Sequence, residues 1–227
     1  MAFARLHYIF MFNNDQLKEL VKKAREATPK RNFAQSAEIT LVLKDIDVKK
    51  GFSVNEIVVL PNPTKKGASL CMLSTGDMGS RAKKAGVDEV MEPDTLDRIG
   101  TNRREARKIV RSYDFFLADA TLMSSVGRSL GQFLGPKGKM PTPVPYGAPI
   151  ENIAKRLRSS TRIRSKNQLN MSTKIGDESM TDEQLVANAS AVIASVEKKL
   201  PQGDKNLRNA IIKFTMGKAL KASTLGK

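Results

Sequence analysis

Leu130-Gly131-Gln132-Phe133-Leu134-Gly135-Pro136-Lys137-Gly138-Lys139-Met140-Pro141-Thr142-Pro143-Val144-Pro145 is the stretch on which this chain is best read. Three glycines, four prolines and two lysines share these sixteen residues. Glycine admits positive φ and close backbone approach; proline fixes φ and removes a donor. The mixture reads as a shaped loop after a helix ending near Phe133, and not as the interior of a helix or of a central strand. A phosphate loop is the first chemistry to test. That template needs glycine five residues before the Gly-Lys pair and Ser or Thr after the lysine. Here those positions hold Phe133 and Met140, so the template fails twice.

The 227 residues suit one large domain or two small ones. Lys and Arg number 39 against 23 Asp and Glu, a formal net charge of +16, with pI near 10.0. Such a balance points to a polyanionic partner, because every phosphate neutralised releases counterions. A 40% hydrophobic content supports a folded core. Trp is absent and aromatics are 5%, which argues against binding mainly by base stacking. Cys71 is the one cysteine and His7 the one histidine. No disulfide framework is available, which fits a reducing, cytoplasmic setting. Cys71, within Leu70-Cys71-Met72-Leu73, reads as a small buried hydrophobe. Zinc-ligand spacing and histidine-based triads are excluded, and no metal, cofactor or catalytic residue is expected. No apolar run approaches membrane-spanning length, so no membrane partner is expected.

Residues 1–12 read as an extension without a cleavage site, expected to be poorly ordered. Leu17, Leu20, Val21 and Ala24 fall at i, i+3, i+4 and i+7, predicting a helix from about Asn14 to Ala27. A basic loop, Lys30 to Gln35, precedes an alternating strand, Ser36–Leu43. A turn at Lys49-Lys50-Gly51 leads to a second strand, Asn55–Leu60. From Lys65 the style changes: continuous apolar strands at Ala68–Ser74 and Phe115–Ala118 alternate with helical patterns, which argues for a parallel α/β layer. Beyond the loop come a helix at Ile150–Leu157 and short strands at Thr161–Arg164 and Asn167–Thr173. Thr181-Asp182-Glu183-Gln184 is a capping box, with Met180 and Leu185 as its hydrophobic staple. Leu185, Ala189, Val192, Ile193, Val196 and Leu200 continue the helix to about Lys199. A last strand, Asn209–Met216, ends at Gly217.

This pattern predicts a two-domain protein combining α/β and α+β architecture. A discontinuous α+β domain, 13–63 plus 154–227, receives an inserted α/β domain, 64–153. Charge follows the same division. Residues 64–153 hold 14 Lys/Arg and 10 Asp/Glu, net +4, and the flanks hold 25 and 13, net +12. The polyanion surface is therefore expected mostly on the discontinuous domain.

Three separated blocks resemble the ribosomal protein L-one family, the proteins of the mobile side stalk of the large ribosomal subunit. They are Arg31-Asn32-Phe33-Ala34-Gln35-Ser36 with Glu38, the loop Gly131–Pro141, and Thr215-Met216-Gly217. Met180-Thr181-Asp182-Glu183-Gln184 and Arg31-Asn32-Phe33 look closer to the archaeal branch. The resemblance implies that the discontinuous domain is the RNA-binding one and that the insert is a Rossmann-like three-layer lobe without a nucleotide. It implies RNA contacts at Phe33, Ser36, Glu38, Thr215, Met216 and Gly217. Hydroxyls of Ser and Thr suit the ribose 2′-OH, and an exposed glycine lets RNA approach the backbone. Lys30, Arg31, Lys174 and Lys218 are the neighbouring candidates for phosphate. The implied partners are large-subunit rRNA (the stalk helices), exit-site tRNA and the protein's own messenger RNA. The implied form is a component of the large subunit, monomeric when free and cytoplasmic. The segment before Met11 has no counterpart in the family.

Two other functions compete. A nucleotide-dependent enzyme could use Gly76-Asp77-Met78-Gly79 after a strand, yet Gly-x-x-Gly is not the dinucleotide fingerprint and no acid/base constellation accompanies it. A basic DNA-binding protein would need helix-turn-helix or zinc-finger spacing, and neither is present.

Overall fold

In the computed structural model the described residues are 14–47 and 51–223. The extension 1–12 and Lys49-Lys50 of the expected turn lie outside them. Two compact units divide the chain: 1–65 with 161–227, and 66–160.

In the first unit, α1 (Asn14–Glu26) leads to β1 (Ser36–Leu43) and β2 (Ser53–Val59). After the second unit the chain returns through β7 (Ser160–Lys166), β8 (Asn170–Asp177), α7 (Asp182–Glu197), β9 (Leu207–Phe214) and β10 (Leu220–Ser223). An antiparallel sheet has the order β10-β9-β1-β8, and β2 pairs with β7 separately. β1 alternates strictly, burying Ala37, Ile39, Leu41 and Leu43 under α1 and α7. A period of two places every second side chain on the core face, so Ser36, Glu38, Thr40 and Val42 share the other face.

The capping box forms as the sequence predicts. Gln184 N–H donates to Thr181 Oγ1 at 3.3 Å, and Thr181 N–H donates to Gln184 Oε1 at 3.1 Å. Every residue of the predicted apolar stripe is buried, Leu185 to Val196 on α7 and Leu200 just beyond its end. So is Asn188, whose amide donates to the carbonyls of Asn62 and Ile175 and accepts from Asn62 N–H. A polar group this deep is tolerated because its hydrogen bonds are met, and it pins the chain leaving β2.

The second unit holds β3 (Leu70–Leu73), α2 (Gly76–Lys84), β4 (Glu89–Met91), α3 (Pro93–Thr101), α4 (Arg103–Ser112), β5 (Phe115–Asp119), α5 (Met123–Lys137), β6 (Thr142–Val144) and α6 (Ile150–Arg158). Its sheet is parallel, in the order β4-β3-β5-β6. All of β3 and β5 is buried, as a sheet covered on both faces requires. Cys71, Leu73, Phe116 and Ala118 pack with α3, α4 and α5, while Leu70, Met72, Phe115 and Leu117 pack with α2 and α6. Cys71 is buried, and burial pushes its thiol pKa up, the state of an inert core residue. The whole of α6 belongs to this unit through Ile150, Ala154 and Leu157, whereas the boundary read from sequence, between 153 and 154, cuts that helix.

The glycine- and proline-rich stretch is not simply a loop. Helix α5 continues through Gly135-Pro136-Lys137, four residues beyond the expected end at Phe133. Pro136 sits in the last turn, where its missing N–H orphans one carbonyl, that of exposed Gln132. Gly138 then adopts φ 67°, its N–H donates to Gly135 O at 2.9 Å, and Lys139 N–H donates to Leu134 O at 3.0 Å. These two bonds form a Schellman cap, which requires the left-handed residue that glycine supplies. Lys139 donates its ammonium to the carbonyls of Val110 (3.1 Å) and Tyr113 (2.5 Å), at the end of α4. Pro143 lies within β6, an edge strand, where a missing donor is tolerated.

Candidate nucleic-acid interface

The last long strand is shorter than its alternation suggests. β9 ends at Phe214, Thr215 to Gly217 form a turn, and the chain doubles back as β10, a strand that sequence reading overlooked. Register places Ala37 opposite Phe214 and Glu38 opposite Lys213. The start of β1 therefore meets the turn after β9, and two blocks about 180 residues apart in sequence share one corner of the sheet.

Backbone hydrogen bonds weld this corner. Thr215 N–H donates to Ser36 O at 3.1 Å, and Ser36 N–H donates to Thr215 Oγ1 at 3.1 Å. The Thr215 hydroxyl in turn donates to Ser36 O at 3.3 Å. Alternation along Asn209–Met216 puts this side chain on the face away from Phe214 and Met216, and the family resemblance implies that its hydroxyl meets RNA. Because Thr215 sits in a turn, the hydroxyl serves Ser36 first, leaving one acceptor lone pair.

Gln35 lies beneath, with no exposed surface. Its side chain donates to Pro29 O at 2.9 Å and accepts from Met216 N–H at 3.0 Å. Its backbone exchanges two bonds with Glu178: Gln35 N–H to Glu178 Oε2 at 3.2 Å, and Glu178 N–H to Gln35 O at 2.8 Å. One buried amide thus ties the loop after α1, the turn after β9 and the end of β8. Sequence reading quoted Gln35 within its block without singling it out; a glutamine flanked by exposed loop residues carries no periodic signal of burial.

Arg25, at the end of α1, supports the corner from the core side. Its guanidinium donates to Asp182 and to the carbonyls of Glu178 and Met180, and lies 5.4 Å from the Phe214 ring centroid. Gly217 has an intramolecular reason to be glycine: a Cβ there would collide with Thr28 Oγ1. Thr28 Oγ1 is itself fixed, donating to Ala24 O at 2.5 Å. The expectation that Gly217 is an exposed glycine is corrected accordingly: it is half-buried against the C-terminal end of α1.

Phe33 is 51% exposed and Met216 52%, so both apolar side chains of the site stand in solvent rather than in the core. Exposed large apolar groups on a rigid corner are available for contact. Lys30, Arg31 and Lys218 are exposed beside them. Glu38 lies half-buried between Lys213 on β9 and Lys174 on β8, its register partners. Lys174 is already paired with Asp177 at 2.6 Å, which weakens it as a phosphate ligand. Lys213, which the sequence reading did not name for the site, has no such partner among the described residues. The remaining block, Gly131–Pro141, lies in the second unit.

A model of the ribosomal protein L1p/L10e family matches residues 20–218. The chain belongs to this family. Over 213 residues it is 53% identical to the large ribosomal subunit protein uL1 of Cenarchaeum symbiosum, covering 94% of this chain and 98% of that protein. It is 41% identical over 212 residues to the same-named protein of Methanoregula boonei (93% and 99%), and 39% over 210 residues to that of Methanocaldococcus jannaschii (92% and 95%). The L1p/L10e match agrees with the resemblance drawn from the three sequence blocks, and the relatives named are archaeal.

Proposed function

We propose that this chain is a structural, non-enzymatic component of the large ribosomal subunit that binds the side-stalk region of rRNA. The first unit is the RNA-binding one, with Phe33, Ser36, Glu38, Thr215, Met216 and Gly217 at the contact and Lys30, Arg31 and Lys218 steering phosphates toward it. Lys213 joins the cations, and Lys174 acts through its pair with Asp177. The observation that carries this reading is the corner itself. Gln35 and Thr215 hold two distant blocks in one rigid arrangement that presents two exposed apolar side chains, with a carboxylate and exposed cations beside them.

Such a surface suits folded RNA. Polar groups read the 2′-OH and base edges, apolar side chains cover splayed bases, and cations meet phosphates. The second unit is then a Rossmann-like lobe that carries no nucleotide: Lys139, the lysine of the Gly-Lys pair in its glycine-rich stretch, is committed to the carbonyls of Val110 and Tyr113. The family reading extends to assisting release of deacylated tRNA from the exit site, and to repression of the protein's own messenger RNA where that message mimics the stalk.

The test is titration of a stalk rRNA fragment with the full chain and with Phe33→Ala/Met216→Ala. Both side chains are already in water, so the variant is expected to fold and to bind at least about tenfold more weakly, equivalent to ~1.4 kcal/mol. Wild-type affinity in the folded variant would remove the corner from the site. Calorimetry with ATP, GTP and NAD is expected to show no binding; micromolar binding abolished by Lys139→Gln would favour a nucleotide-dependent enzyme.

A further inference from the structure

Helix α4 carries Arg103, Arg104, Arg107, Lys108 and Arg111 within ten residues, five of the 16 basic residues in 66–160. All five are exposed. Its one acidic residue, Glu105, is engaged by Arg98 from α3, and no carboxylate pairs with the five cations among the described residues. Arg103, Arg107 and Arg111 lie at i, i+4 and i+8, a stripe roughly 12 Å long at 1.5 Å rise per residue. Shallow clefts flank the ridge. One, of about 370 Å³, is lined by Arg103, Arg107, Arg111 and Lys137 over a floor of Val110 and Phe133. The other, of about 450 Å³, shares Arg107 and Arg111 and adds Arg104 and Lys108.

Folding does not explain this arrangement. Arg103 and Arg104 occupy the helix N-terminus, where cations oppose the macrodipole, and like charges at i, i+4 repel. Lys139 and Asn102 already cap the two ends of the helix. The apolar residues of α4 face inward: Ala106 and Val110 are buried and Ile109 half-buried, so the ridge offers nothing to insert into a bilayer. A charge line open along its length, with no enclosing wall, fits an extended polyanion better than a small anion.

We infer that the α4 ridge is a second RNA-contact surface, which grips the phosphate backbone of helical RNA without reading sequence. It is separate in residues from the corner at β1 and β9, and it stands whether or not that corner is the specific site. Five unpaired cations facing phosphates act through counterion release, so the signature is the salt slope.

The experiment uses the full chain and a 20-base-pair RNA duplex of arbitrary sequence, titrated across a salt series. Arg103→Gln/Arg107→Gln/Arg111→Gln keeps good helix formers on α4. It is expected to weaken duplex binding at least about tenfold and to flatten the log–log salt slope by about 2–3, roughly one for each phosphate no longer neutralised. The Arg→Lys triple variant is expected to restore most of the slope. The control, Lys83→Gln/Lys84→Gln/Lys155→Gln, removes equal charge from α2 and α6 on the opposite face of the same sheet. It is expected to change the slope by less than 1. Equal losses from both sets would reduce the effect to net charge and overturn the proposal, as would a wild-type slope in the arginine variant. Polyglutamate bound as tightly as the duplex would assign the ridge to an acidic protein instead. Phe33→Ala/Met216→Ala on the stalk rRNA fragment gives the corner's own signature, a loss of affinity with the salt slope unchanged, so failure of one surface is distinguishable from failure of the other.

Discussion

The two units use their sheets in opposite ways. The antiparallel sheet of the first unit has helices on one face only, so strand positions such as Ser36, Glu38 and Lys213 remain outside the core. The parallel sheet of the second unit is covered on both faces, and no side chain of β3 or β5 is left for solvent. Whatever the second unit presents must therefore come from the outer surfaces of its helices, from its connecting loops or from the edge strand β6. Groups fixed by a sheet corner are held by backbone hydrogen bonds and suit reading of shape. Long arginines on an exposed helix are adaptable and suit charge. Variants can sharpen or break the proposed contrast between a rigid reader of shape and an adaptable grip that works by charge alone.

The largest effect is expected from Gln35→Ala. It leaves Met216 N–H and Pro29 O without their partner in a part-buried place and opens a cavity where the buried Gln35 side chain sat, a loss of about 2–3 kcal/mol. Denaturant unfolding gives the stability, and RNA titration should show binding at the corner disappear with it. If affinity for stalk RNA survives a destabilised corner, rigidity is not what that surface supplies. Gly217→Ala comes next. Its methyl must displace Thr28, at about 2 kcal/mol for overpacking, and Gly217→Ala/Thr28→Ala should recover part of that loss. An unaltered midpoint in the single variant would show that the turn yields freely.

Thr215→Val keeps shape and β-branching but cuts both hydroxyl links to Ser36. Affinity for stalk RNA is expected to fall about tenfold, at a cost of roughly 1 kcal/mol in stability, with an unchanged salt slope because no charge is lost. A flattened slope would mean that the corner works by charge after all. Glu197, at the end of α7, tests the first unit away from the corner. Burial, and then the nearby Asp204, raise its pKa above the ordinary carboxylate value, and its Oε1 is unpartnered. The folded state thus holds this proton more tightly than the unfolded chain, and the stability it lends is lost as pH rises through the folded pKa. Glu197→Gln is expected to gain a few tenths of a kcal/mol at neutral pH, the effect being screened by solvent at this half-exposed site, and to gain nothing below the unfolded value near 4.5. Smallest in affinity is Lys218→Ala: a loss of a few-fold, with a slope shallower by about 1 if it meets a phosphate.

Much of this was legible in the residues. The period of two in Ser36–Leu43 predicted its buried face, the continuous apolar runs around Met72 and Leu117 predicted a sheet covered on both sides, and Thr181 to Gln184 predicted a helix start to the residue. Local rules succeed there because short-range sterics and side-chain period dominate. They misled at Pro136, where a helix kept its last turn because Gly138 closes it. They misled also at Thr215, where a strand-like alternation ended in a turn.

By itself, then, the sequence determined most of the elements, the net positive charge and three family blocks. Each depends on residues near one another in the chain or on composition. Tertiary structure alone decided that Gln35 is buried, that the Thr215 hydroxyl belongs to Ser36, that Lys174 is paired and that, among the described residues, five cations on α4 are not. Those facts depend on which distant groups come within hydrogen-bond or ion-pair reach. Pairing across about 180 residues is set by the register of β1 against β9, which no local pattern encodes.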